Sequence, residues 1–237
     1  TSTNFIYVSI PGLIYQDTHY LTGWSNANYI DTNLDVTGFL TSGSTDSWAF
    51  GYRLANTLPT NGAENTLFTN TEGAIAIELD SASTWYWYAY SGSDDGGALG
   101  SITEPSQTSP SYWLWTYDAP NSRLEVYYNG TLIESQDITN ASDYKLPGEG
   151  YSGQVTFGNS INALREPFNS TTGVSALFFA RTYLSGSINT TAYNNNGDIT
   201  SDAQYDDVDS FFNINATSIV DIKENAPNVA IEGTLTF

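Results

Sequence analysis

Cysteine and methionine are both absent from this chain of 237 residues. No disulfide framework, zinc–thiolate site or cysteine nucleophile can therefore be built. Cations are scarce: 6 Lys+Arg stand against 26 Asp+Glu, with a single His, for a formal charge of −20 and a pI near 4.1. Such a chain has little with which to displace counterions from a nucleic-acid backbone, and an anionic membrane surface repels it. Long apolar runs are missing too, and no stretch approaches the ~18 residues that mark a membrane-crossing helix. Neither a nucleic-acid partner nor a membrane span is expected. The lack of Cys suits a reducing compartment, or a secreted protein held together by packing.

What is present is apolar enough to fold. Hydrophobic residues make up 40% and aromatics 14%, which sets the chain apart from disordered acidic segments. Charged residues are only 14%, so the polar surface must be mostly Ser, Thr, Asn, Gln and Tyr. The length allows one large β domain or two small ones. No shift in composition divides the chain, and 1–237 reads as a single domain. The first residues, TSTNFIYVSI, lack an initiator Met, as expected of a mature end left by removal of a leader. A secreted, extracellular location is the expectation.

Runs rich in Val, Ile, Thr, Tyr, Phe and Trp recur between clusters of Gly, Asn, Asp, Ser and Pro. Strands are predicted near 4–10, 28–40, 47–54, 73–80, 84–91, 111–118, 122–128, 131–139, 153–158, 174–183, 208–213, 217–223 and 229–236. No helical periodicity stands out. The spacing predicts an all-β, antiparallel sandwich or barrel. The clearest local signal is RLEVYYNGTLIES, where Asn129-Gly130 supplies two positive-φ residues for a type I′ hairpin turn. The longest irregular stretches are 92–110 and 140–152. In SYWLWTY, Trp113, Trp115 and Tyr117 share a face that suits a sandwich core. In TWYWYAY, Trp85 and Trp87 oppose Tyr86, Tyr88 and Tyr90, and the Tyr face is either ordinary sheet surface or a platform for sugar rings.

The segments Asp46-Ser47-Trp48-Ala49-Phe50 and Ile75-Ala76-Ile77-Glu78-Leu79-Asp80-Ser81 resemble two motifs of the legume-type (L-type) lectins in the concanavalin A-like superfamily. Those lectins carry an Asp-Gly-Leu-Ala-Phe-Phe-Leu segment and then a Val-Ala-Val-Glu-Phe-Asp-Thr strand. The hairpin SYWLWTYDAPNSRLEVYYNGTLIES also resembles laminin-G-type modules. The likeness covers roughly residues 40–160 and is at the level of fold. It implies a jelly-roll β-sandwich in which Asp46 holds a sugar, with Trp48 in the same segment, and in which Glu78 and Asp80 bind metal. Alternation puts Glu78 and Asp80 on one strand face. The family's further ligands after that strand are missing here. A calcium site could recruit Asp94 and Asp95, because calcium accepts six to eight oxygens in flexible geometry.

A second acidic run, NNNGDITSDAQYDDVDS, crowds Asp198, Asp202, Asp206, Asp207 and Asp209. It does not follow the EF-hand offsets. It reads either as a solvated acidic loop or as a calcium-capturing one, whose self-repulsion a divalent ion would relieve. Sequons stand at Asn129, Asn140, Asn169, Asn189 and Asn215, making the chain a candidate glycoprotein. The alternating N-terminal run Phe5, Ile6, Tyr7, Val8 and Ile10 is either an ordinary first strand or, over residues 1–10, an exchangeable donor strand that completes a neighbouring copy's sheet.

Enzyme chemistry finds weaker footing. Glu78-x-Asp80 also resembles the laminarinase-type β-glucanases, but Ala82 and Ser83 stand where their second Glu belongs, and a retaining hydrolase needs two carboxyls ~5 Å apart. His19 has no nucleophile elbow near it. Polysaccharide lyases of jelly-roll type use Tyr or His with a neutralising group; Arg53, Arg165 and Arg181 are present without a lyase signature. The expected function is non-enzymatic glycan binding or adhesion, possible with calcium, the partner being a glycan. The alternatives are a structural filament or sheath subunit that partners copies of itself, and a polysaccharide hydrolase or lyase.

Overall fold

Every strand pairing in the computed structural model is antiparallel. The structure describes residues 20–23, 29–35, 47–56, 65–70, 75–79, 84–89, 98–103, 105–106, 108–137, 154–158, 171–214, 219–223 and 230–232. Among them are fourteen strands: β1 (Tyr29–Asp35), β2 (Trp48–Leu54), β3 (Asn65–Asn70), β4 (Ile75–Leu79), β5 (Thr84–Ala89), β6 (Ala98–Thr103), β7 (Ser111–Asp118), β8 (Arg123–Tyr128), β9 (Thr131–Asp137), β10 (Gln154–Phe157), β11 (Val174–Ala180), β12 (Ser210–Ile214), β13 (Ile219–Asp221) and β14 (Ala230–Glu232). They form two seven-stranded sheets. One runs β14-β1-β10-β3-β4-β5-β6 and the other β13-β12-β11-β2-β7-β8-β9. The expected antiparallel sandwich is the fold.

The sheets meet through aromatic rings. Phe157 of β10 lies 5.9 Å from Phe50 and 6.4 Å from Tyr52, both on β2. Tyr52 stacks on Trp113 at 6.1 Å, and Trp113 on Trp115 at 6.4 Å. Trp113, Trp115 and Tyr117 are all buried, so the shared Trp face fills the core as expected. The β8–β9 hairpin turns on Asn129 (φ 48°) and Gly130 (φ 81°), the positive-φ pair that a type I′ turn requires.

The second sheet is buried on its outer face as well. Tyr112, Leu114 and Thr116 alternate with the core Trp residues, yet they too are buried. Their cover is a helix, α1 (Gly186–Asn194), which the sequence pattern did not predict. Leu184, Ile188, Ala192, Ile199 and Val208 pack there against Leu114, Phe178 and Phe211. The segment GSINTTAYN is rich in Gly, Asn and β-branched residues, which are poor helix formers. Its helicity comes from burial of Ile188 and Ala192 against the sheet, since tertiary packing supplies most helical stability in proteins. Two strands also escaped the sequence pattern. β3 is polar at most positions, and β6 lies in the Gly-rich stretch read as irregular.

Gly51 is a close approach in this layer. A Cβ on it would enter the ring of Phe178, which lies opposite on β11. Gly51→Ala should therefore overpack the outer layer and cost about 1–3 kcal/mol, seen as a lower urea midpoint with an unchanged m-value.

Candidate functional site

Two surfaces on the second sheet gather side chains with recognition chemistry, and both follow from strand alternation. On β2, Phe50 and Tyr52 point inward, so Trp48 belongs to the inner row and Ala49, Gly51 and Arg53 to the outer one. Trp48 is at the strand's end and is only half-buried. Its ring lies 6.3 Å from that of Tyr117, its cross-strand partner. The β7–β8 turn stands alongside. Ala119 N–H donates to Ser47 Oγ at 3.0 Å, and Asn121 Nδ2 donates to Asp118 Oδ2 at 2.6 Å. Burial pushes the Tyr117 phenol up; Ser122 opposes that and the charge of Asp118 adds to it. An indole at a sandwich end can stack on a sugar ring.

On the outer face, the pairings Asn213↔Ala176↔Arg53↔Tyr112 make one row across four strands. Two rows along the same face, the row Thr116↔Glu125↔Ser135 contains a cluster around one carboxylate that the sequence did not signal. Glu125 Oε2 accepts from Tyr127 Oη at 2.8 Å and from Tyr183 Oη at 2.7 Å. Arg123 Nε lies 3.4 Å from Oε1. Tyr127 covers Gly186, where a Cβ would strike its ring. The cluster thus fastens the start of α1 to β8.

Three acids of the acidic run are held by local hydrogen bonds. Asp198 Oδ1 accepts from Thr200 N at 2.9 Å and from Thr200 Oγ1 at 2.7 Å. Asp202 accepts from Thr191 Oγ1 at 2.6 Å and from Gln204 N at 2.9 Å. Asp206 and Asp207 lie in a 3-10 turn, Tyr205–Asp207. Asp209 Oδ1 holds Arg181 Nη2 at 2.7 Å while its Oδ2 accepts the Arg181 N–H at 2.6 Å. Among the described residues no three His, Asp or Glu side chains come together to hold a metal. Asp198, Asp202 and Asp209 are thus each held by their own local bonds.

Of the sequons, Asn129 sits at the hairpin tip, where Nδ2 donates to Thr108 Oγ1 at 2.7 Å. Asn189 is a correction. It is 1% exposed, and its Oδ1 accepts the Gly130 N–H at 2.7 Å, so the folded chain has no exit for a glycan there. Asp46, Asp80, Asp94, Asp95, Asn140, Asn169, Asn215 and the run Phe5, Ile6, Tyr7, Val8 and Ile10 lie outside the described residues. Glu78 is on β4, paired with Thr66 and Tyr86.

Two outcomes follow. Peptide mapping of chain secreted from a glycosylating host should find Asn189 unmodified. The second concerns alkaline stability. Tyr183 is shifted up, first by burial and then by its bond to Glu125. Tyr127 is shifted up by the same two causes in the same order. A raised phenol pKa means that the folded state holds the proton more tightly, so this stability is complete below pH ~10 and falls as pH rises above it. Urea midpoints measured from pH 9 upward should fall, and less steeply in Tyr183→Phe.

No family model and no curated protein matches the sequence. Among solved structures, the fold is similar to the native heptameric SAP-like pentraxin from Limulus polyphemus, with TM-score 0.54 and 12% identity over 92% of this chain and 98% of that one. It is similar to a candidate carbohydrate-binding protein from Bacteroides ovatus, with TM-score 0.57 and 17% identity over 92% of this chain and 59% of that one. It is also similar to the CBM40 of Ruminococcus gnavus IT-sialidase bound to alpha2,3 sialyllactose, with TM-score 0.53 and 11% identity over 74% of this chain and 96% of that one. At such identities the likeness concerns fold alone. The chain shares the antiparallel, two-sheet jelly-roll β-sandwich fold of these structures.

Proposed function

We propose that this protein is a secreted, non-enzymatic module that binds glycans through the surface around Trp48. The observation that carries the reading is a large indole left half-buried at the end of β2, when Trp113 and Trp115 are 1% and 0% exposed. The β7–β8 turn stands at the same end of the sheet, where Ala119 N–H donates to Ser47 Oγ. Asp46, two residues upstream of Trp48, belongs to this proposal through the lectin resemblance. Two structures of similar fold give the ligand class its support: the Bacteroides protein is described as carbohydrate-binding and the CBM40 was solved with a sialylated sugar.

Binding without catalysis is supported by the chain's lack of a second Glu after Glu78-x-Asp80, the partner that a retaining glycosidase needs. Calcium enters the proposal through Glu78 and Asp80, the pair that the lectin resemblance assigns to metal.

A glycan array probed with wild type and with Trp48→Ala tests the reading. Wild type should retain a defined set of glycans. The variant, checked for native circular dichroism, should bind them about tenfold more weakly, the loss expected for one aromatic stacking contact. An array with no hits, or equal binding by the variant, contradicts it.

A further inference from the structure

We infer that Asn129 is a latent deamidation site and that Asn189 of α1 is the latch that keeps it closed. The reaction needs only the chain and water. Where Asn precedes Gly, the Gly nitrogen can lose its proton to base and attack Cγ of the Asn side chain. The Cγ–Nδ2 bond breaks, ammonia leaves and a five-membered succinimide forms. Water then opens the ring to Asp or isoaspartate, so that amide plus water has become acid plus ammonia. Glycine is the favoured neighbour because it has no Cβ to hinder the approach or to restrict the backbone.

Asn-Gly pairs stand at 61–62, 129–130 and 196–197. The first lies outside the described residues. At the second, the electrophile is held in place without being disabled. Asn129 Oδ1 accepts the Tyr112 N–H at 2.8 Å, and its Nδ2 donates to Thr108 Oγ1 at 2.7 Å. A backbone donor on the carbonyl oxygen is what the oxyanion formed by attack on Cγ requires. Asn129 and Gly130 are half-buried, so hydroxide can reach them. The restraint falls on the nucleophile instead. Gly130 N–H donates to Asn189 Oδ1 at 2.7 Å, which retains the proton and turns the nitrogen toward α1. Thr190 Oγ1 donates to the Gly130 carbonyl at 3.3 Å, so the helix grips this glycine at both backbone groups.

Asn189 is suited to this bond and to little else. It is 1% exposed, and its Nδ2 has no hydrogen-bond partner among the described residues. Unmet buried donors are costly, and an apolar side chain of the same shape would avoid that cost. What the amide supplies is the acceptor for Gly130. The pair at 196–197 is held differently. Gly197 N–H donates to the Ala192 carbonyl at 2.6 Å, within the end of the helix itself. Protection of Asn129 therefore requires α1 to be docked on the hairpin, whereas protection of Asn196 requires only the helix end. Opening of α1 would be recorded irreversibly, because isoaspartate adds a carbon to the main chain. A two-residue turn with φ of 48° and 81° has no room for it.

Peptide mapping of isoaspartate in the full chain tests this, with protein made in a host without N-glycosylation so that Asn129 keeps a free amide. Folded wild type, wild type in urea and Asn189→Leu are aged side by side in mildly alkaline buffer. Leu is close to Asn in size and brings no buried donor; Asn189→Ala replaces it if circular dichroism shows that Leu does not fit. Folded wild type should convert Asn129 about tenfold or more slowly than the chain in urea, and the folded variant should convert it about five- to tenfold faster than folded wild type, the rate factor of one lost hydrogen bond. Asn196 should convert at the same rate in both folded proteins. Conversion of Asn129 in folded wild type as fast as in urea would overturn the proposal, as would a wild-type rate at Asn129 in the variant. Equal acceleration at Asn129 and Asn196 would overturn it too, since that outcome marks melting of α1 and not the loss of one latch.

Discussion

The contact of the Phe178 ring with the backbone at Gly51 is the constraint on which the outer layer depends. A sheet that buries both faces needs two apolar covers, and here the inner one is the opposing sheet. The outer one must be built from a short helix with little apolar surface of its own. Only because β2 carries no side chain at position 51 can Phe178 lie flat across it. That leaves Leu184, Ile188 and Ala192 a surface to close on. Glu125 then fixes the start of α1 through Tyr183 and Tyr127. Asn189 and Thr190 fix its middle to the hairpin tip at Gly130.

The same geometry decides how far the outer layer reaches. Helix α1 has nine residues, about 13 Å of axial rise, and the row of Arg53 and Tyr112 is buried beside it as well, at 8% and 3% exposed. At the other end of β2 the sandwich core runs out, and Trp48 remains half-buried. A single strand thus carries a half-buried indole at one end and a buried guanidinium near the other, on opposite faces.

Much of the fold was legible in the sequence, and the failures have physical causes. β7 and β8 were readable because Trp113, Trp115, Leu124 and Val126 alternate cleanly and Asn129-Gly130 marks the turn. β3 was not, because Asn65, Thr66, Thr69 and Asn70 give it no apolar stripe. Its strand state is set by pairing to β4 and β10. Helix α1 was hidden because Gly186, Thr190 and Thr191 argue against a helix locally, and only the distant Leu114 and Phe178 favour it. Trp48 was found through the lectin-like segment. The burial of Arg53 was not, since a cation's neighbours in space are set by the fold. The partners of the Asp198–Asp209 run were hidden for the same reason: Asp198 bonds Thr200, Asp202 bonds Thr191 and Asp209 bonds Arg181.

The central structural claim is that α1 is an integral wall of the second sheet. Native-state hydrogen exchange tests this most directly, because it reports whether segments open alone or with the whole fold. The account predicts that the amides of Ile188 to Asn194 exchange with the same free energy and denaturant dependence as those of Leu114 on β7 and Phe178 on β11. Helix amides that exchange through a separate, low-energy opening, while the sheet stays protected, would contradict it.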